Sequence, residues 1–132
     1  MKKPKYTNGA LYTILEDIVK QAGIKIEYCK LDSNLFGEQL SDSNIIRMSN
    51  KNIYRNDNDK DGTWNATFIL AHEFAHKLID GFYSFNEFEY EHDMATYKFI
   101  DADADKIGGA LYSLALLIYE QNQKQMLENI KK

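Results

Sequence analysis

Cysteine is almost absent: Cys29 is the single one among 132 residues, so no disulfide can form within the chain. That usage suits a reducing compartment, and the expected localisation is the cytoplasm. An excess of positive charge is also missing. Sixteen Lys and Arg stand against twenty Asp and Glu, a net charge of −4. Such a balance argues against a chain that wraps a nucleic-acid backbone, which needs a basic face. Long hydrophobic runs are lacking too. No stretch approaches the roughly 18 apolar residues of a membrane span, so neither nucleic acid nor membrane is expected as a direct partner. The start, MKKPKYTNGALYTILEDIV, is basic and then apolar, but Glu16 and Asp17 interrupt it before a signal-type segment forms. No internal repeat is present. What the chain does have is 44% hydrophobic residues and 13% aromatics, with nine Tyr and seven Phe, enough for a real core. Its length predicts one domain over residues 1–132.

Periodicity predicts an α+β fold. Leu11, Ile14, Leu15, Ile18, Val19 and Ala22 recur at the helical spacing. Thr7 or Asn8 can cap the start of that helix and Gly23 can close its end. Ile24, Ile26 and Tyr28 alternate with Lys25, Glu27 and Cys29, the pattern of a half-buried strand. Two more short strands are expected over Phe36–Leu40 and Ile45–Met48, joined by a turn at Ser41-Asp42-Ser43-Asn44. After a polar loop at about Asn50–Gly62, a mostly apolar, buried helix is expected from Asn65 to Ile79, stopped by Asp80-Gly81. Phe82–Asp93 reads as an aromatic and acidic loop. A last helix is expected from about Met94 to Gln121 or beyond, with 121–132 as a polar, partly frayed helical tail that stands in solvent. The predicted architecture is an N-terminal helix, a small three-stranded sheet, then the apolar helix packed on a long C-terminal helix.

The apolar helix carries the stretch FILAHEFAHKLIDG, residues 68–81. Imidazoles and a carboxylate in such surroundings need partners, because burying them alone costs several kcal/mol. His72 and His76, four apart, lie nearly above one another on a helix and can point two ring nitrogens at one ion. Glu73 sits about 100° round from His72 and can reach a water on that ion without binding the ion itself. This is the H-E-x-x-H arrangement, in which the Glu is the general base.

A tetrahedral catalytic site needs a third protein ligand and an open position. The segment KFIDADADKIGGALY, residues 98–112, offers three aspartates. The buried stripe expected along that helix runs through Tyr97, Ile100, Ala104, Ile107 or Gly108, Leu111, Leu114 and Ile118. Asp101 borders that stripe and Asp105 follows one turn on, whereas Asp103 is about 200° from Asp101 and faces away. Asp101 is therefore the expected third ligand. Asp105 is expected to stand behind the ligands and orient the free ring nitrogen of His72 or His76. Gly108 and Gly109 cost about 1 kcal/mol each within a helix, a cost that close approach of the His72–His76 helix could offset.

The order FILAHEFAHKL followed by D-x-x-A-D-K-I-G-G-A resembles the zincin peptidases of the ImmA/IrrE family, a gluzincin-like arrangement, and the second pattern also resembles HtpX-like zincins. The resemblance covers roughly residues 10–120. It implies a minimal zincin-like fold, in which a helix and a three-stranded sheet precede the zinc helix. It also implies one Zn2+ held by His72, His76 and Asp101, with Glu73 as the base. One departure is visible: the family's third ligand is usually Glu, and Asp is one methylene shorter. Members act on intracellular regulators, notably repressors of phages and mobile elements. The implied function is zinc-dependent hydrolysis of a peptide bond in one specific protein, with a DNA-binding regulator as the partner. The alternative is a catalytically weak zincin-fold regulator or inhibitor that binds a partner without hydrolysis.

For the enzyme, an oxyanion donor is needed besides the metal, and Tyr83, Tyr90, His92 and Tyr97 are candidates. His92 is also a fallback ligand. The segment GFYSFNEFEYEHD, Gly81–Asp93, is long enough to border the cleft. Its acids Glu87, Glu89, Glu91 and Asp93 would favour basic peptides. Finally, DNDKDG, Asp57–Gly62, matches half of a calcium loop, but the position of the closing Glu is Phe68. The plainer reading is that its acids favour the N-terminus of the next helix.

Overall fold

The computed structural model describes residues 3–4, 9–31, 35–39, 43–51, 54, 58–82 and 94–131, with the side chains of 80–82 and 94–101 outside that description. The architecture is α+β. Helix α1 (Ala10–Gln21) is followed by strands β1 (Lys25–Cys29), β2 (Gly37–Gln39) and β3 (Ile45–Ser49). Helices α2 (Thr63–Phe82) and α3 (Met94–Lys131) complete it.

Helix α1 ends as its sequence requires. Gly23 adopts φ +83°, which costs a glycine nothing. Its N–H donates to the Lys20 carbonyl, and the Ile24 N–H donates to that of Val19. This is a Schellman closure, with Val19 and Ile24 both in the core. At the other end Gly9 occupies the cap and supplies no side-chain hydrogen bond. The expected caps, Thr7 and Asn8, lie outside the described residues.

The sheet has strand order β1-β3-β2, parallel between β1 and β3 and antiparallel between β3 and β2. One face carries a charged row. Glu27, Arg47 and Glu38 are direct cross-strand partners, and Arg47 lies 3.6 Å from Glu27 and 3.5 Å from Glu38. Exposed pairs of this kind contribute about 0.2–1 kcal/mol each, but they agree with the register that buries Ile46 and Met48 on the other face.

Helix α2 packs on α1, α3, β2 and β3, which makes it the central element. Leu70, Ala71, Phe74 and Ala66 bury against Tyr12, Leu15 and Val19 of α1 and Ile46 and Met48 of β3. Lys77 donates to the Ser43 carbonyl and ties α2 to the chain entering β3. A buried carboxylate sits at the α1–β1 contact. Glu16 accepts from the Tyr28 hydroxyl at 2.5 Å and from Lys3 at 3.1 Å, and Tyr28 shares a further hydrogen bond with Tyr12 at 2.7 Å. None of the described helices is long and apolar enough to cross a membrane.

Helix α2 is longer than its apolar run implies. It runs through Gly81 to Phe82, since one glycine weakens a helix without forbidding it. It begins at Thr63 because the loop before it satisfies its first donors. Asp59 accepts from the N–H groups of Trp64 and Asn65, and Asp61 from that of Thr63. Gly62, at φ +76°, donates to the Asp59 carbonyl. The four N–H groups that a helix start leaves without intrahelical partners are thus taken up. Two of the acids in the calcium-like stretch therefore serve as helix caps, and Asp57 lies outside the described residues. Asp59→Ala is expected to lower stability by about 1–2 kcal/mol in urea unfolding, and millimolar calcium is expected to leave the wild-type midpoint unchanged. A calcium-dependent rise in that midpoint would restore the ion-loop reading.

Candidate metal centre

The capped, buried helix α2 presents His72, Glu73 and His76 as one group. Their ligand-capable atoms all lie within 4.8 Å of one another, a spacing compatible with a bound metal ion. The imidazole planes meet at 80° with centroids 4.8 Å apart, and the two Nε2 atoms face each other at 3.2 Å. A tetrahedral ion holding two nitrogens at about 2.0–2.1 Å separates them by about 3.3 Å. The observed separation is close to that requirement. His76 and Glu73 are buried, at 5% and 8% exposure, while the His72 side chain is 21% exposed. The group is therefore closed on the His76 side and open to solvent past His72.

Helix α3 supplies the next layer. Asp105 Oδ1 lies 2.8 Å from His72 Nδ1. A carboxylate only accepts, so the ring proton sits on Nδ1 and the Nε2 lone pair is directed at the His76 ring. This contact requires α3 to run close to α2, and the glycine at 108 permits it. A Cβ built there would lie 3.1 Å from both the His72 Cα and the His72 N. Ala75 and Ile79 of α2 pack with the fully buried Ala104 of α3 along the same seam.

Asp101 belongs to α3, seven residues before Gly108, and its side chain lies outside the described residues, as does that of Tyr97. Tyr83, Tyr90 and His92 lie outside them entirely, together with Glu87, Glu89, Glu91 and Asp93. Among the described residues, the group that could hold a metal consists of His72, Glu73 and His76, and Asp103 is not part of it.

Sequence reasoning passed over one residue at this site. Gly37, in β2, faces Glu73: a Cβ there would lie 2.7 Å from Ile69 Cγ2 and 3.2 Å from Glu73 Cγ. A glycine inside a strand pattern is the available signal for such close approach. Gly37 thus lets the edge strand rest on the turn of α2 that carries Glu73.

No protein-family model matches the chain, and neither a curated protein nor a solved structure does.

Asp105→Ala is expected to weaken metal binding about 10- to 100-fold, because His72 loses the partner that fixes its tautomer and ring orientation. Asp105 is 60% exposed, so the fold should survive the change. Asp103→Ala should bind as the wild type does. Competition titration against a chromogenic chelator measures both, and equal losses in the two variants would remove the role given to Asp105.

Proposed function

We propose that this chain is a zinc-dependent endopeptidase of the ImmA/IrrE type, hydrolysing a peptide bond in a specific intracellular protein such as a repressor of a phage or mobile element. The observation that carries the reading is the convergence of the His72 and His76 Nε2 atoms at 3.2 Å, with Glu73 in the same group. His72 and His76 would hold the zinc, with Asp101 as third ligand. When bound, zinc supplies a Lewis acid that acidifies a water and polarises the peptide carbonyl.

The chain's own residues do the rest. Asp105 keeps the His72 proton on Nδ1 and leaves Nε2 free to ligate. Glu73 takes a proton from the attacking water and delivers it to the leaving amine. Glu73 itself is buried, 8% exposed. Strand β2, the edge of the sheet, lies against the Glu73 turn, and an extended peptide can add to such an edge through main-chain hydrogen bonds.

Two comparisons test the proposal. Protein purified without added metal is expected to carry about one zinc per chain, and His72→Ala to lose it. Glu73→Gln is expected to keep the metal and to cut a regulator from the same genomic neighbourhood at least ~100-fold more slowly. Casein should stay intact under conditions where the regulator is cut. Equal metal in the wild type and His72→Ala would sink the metal reading. Binding of the regulator without cleavage, unaffected by Glu73→Gln, would favour the regulator or inhibitor alternative.

A further inference from the structure

We propose that Gly108 is a positioning residue for the metal centre: the missing side chain where α3 crosses His72 sets the distance over which α3's carboxylates reach the site. The inference rests on the metal reading above. A Cβ at 108 would meet only backbone of α2, namely His72 Cα and N at 3.1 Å and the Ala71 carbonyl carbon at 3.3 Å. Backbone cannot swing aside as a side chain can, so a methyl there must move one helix relative to the other. The neighbouring Gly109 has nothing within 4 Å of its own Cβ position. Packing at the ligand thus distinguishes two adjacent glycines of one helix.

The movement would fall on the turns that matter. One turn beyond Gly108, Tyr112 is held against Trp64 and Phe68, with ring centroids 5.9 and 6.3 Å away. With that point fixed, a methyl at 108 levers the preceding turns of α3 away from α2. Those turns carry Asp105, which bonds His72 Nδ1 at 2.8 Å. Aspartate is the shortest carboxylate side chain, so that contact has little reach to spare. Helix separation and the Asp105–His72 contact are therefore matched.

The test compares zinc affinity, by chelator competition, in the wild type, Gly109→Ala, Gly108→Ala, Asp105→Ala and the double variant Gly108→Ala/Asp105→Ala. Circular dichroism of each metal-free protein reports folding. Gly109→Ala is expected to bind like the wild type, and Gly108→Ala at least tenfold more weakly. The double variant should bind no more weakly than Asp105→Ala alone, because Gly108 acts through that contact, a non-additivity that a purely structural defect would not show. Unchanged affinity in Gly108→Ala, an equal loss in Gly109→Ala, or fully additive losses in the double variant overturns the proposal. If Gly108→Ala does not fold, Asp105→Glu decides, and affinity equal to or above wild type overturns it. A wild type that binds no zinc overturns the metal reading and this inference together. A zinc-binding wild type with an indifferent Gly108→Ala overturns the spacing alone.

Discussion

The contact on which the rest of the site depends is the crossing of α3 over α2 at His72. Two helices ordinarily pack with axes 8–10 Å apart, at a distance set by the side chains between them. Around His72 the seam presents Ala71, Ala75, Ala104 and Gly108, all buried, with the larger Ile79, Ile107 and Leu111 packed beside them. Small residues bring the helices together where the imidazole must meet a carboxylate as short as that of Asp105. Larger side chains along this seam would stabilise a different pair of helices, farther apart, without that hydrogen bond. The opposite face of α2 shows the contrast, for Leu70 and Phe74 fill the core against α1 and β3. One helix thus serves two packing regimes, bulk on one side and close approach on the other.

Fixing α2 in register is the second requirement, because imidazoles four apart converge only on an unbroken helix. The start is held by the carboxylates of Asp59 and Asp61, the middle by the core, and Lys77 anchors a later turn to the Ser43 carbonyl. β2 settles on the same helix through Gly37. The charged row Glu27–Arg47–Glu38 adds little energy but agrees with the register that places Gly37 beside Met48, above Ile69 and Glu73.

Much of this was legible in the sequence, for reasons that can be stated residue by residue. The 3.6-residue period of Leu11–Ala22 and the two-residue period of Ile24–Cys29 gave α1 and β1, because each element buries one face. The angular argument that set Asp105 on the α2 side needed helix geometry alone. The strand order was not legible, since placing β3 between β1 and β2 depends on long-range pairing that no local pattern encodes. Nor was the burial of Glu16, which reads as a surface charge on an amphipathic helix. It is buried because the Tyr28 hydroxyl and Lys3, distant in sequence, supply its hydrogen bonds. The acids of DNDKDG were ambiguous because a calcium loop and a helix cap call on the same residue types. Only the positions of the Trp64 and Asn65 N–H groups distinguish the two.

Exposure around the histidines adds one more step. A hydrolytic centre must exclude bulk water from its base yet admit a substrate. Glu73 and His76 are buried, whereas His72 is partly and Asp105 largely exposed to solvent. In the proposed reaction this asymmetry divides the labour between two carboxylates. Glu73, beneath the edge strand, is placed to meet a peptide laid along β2, and its proton transfers would take place in a partly desolvated setting. Asp105, at the open rim, pays little desolvation for its charge and can hold the His72 ring in one tautomer without needing a buried counter-ion. On that reading the buried carboxylate would be the one assigned the chemistry, and the orienting carboxylate of Asp105 would stay in water.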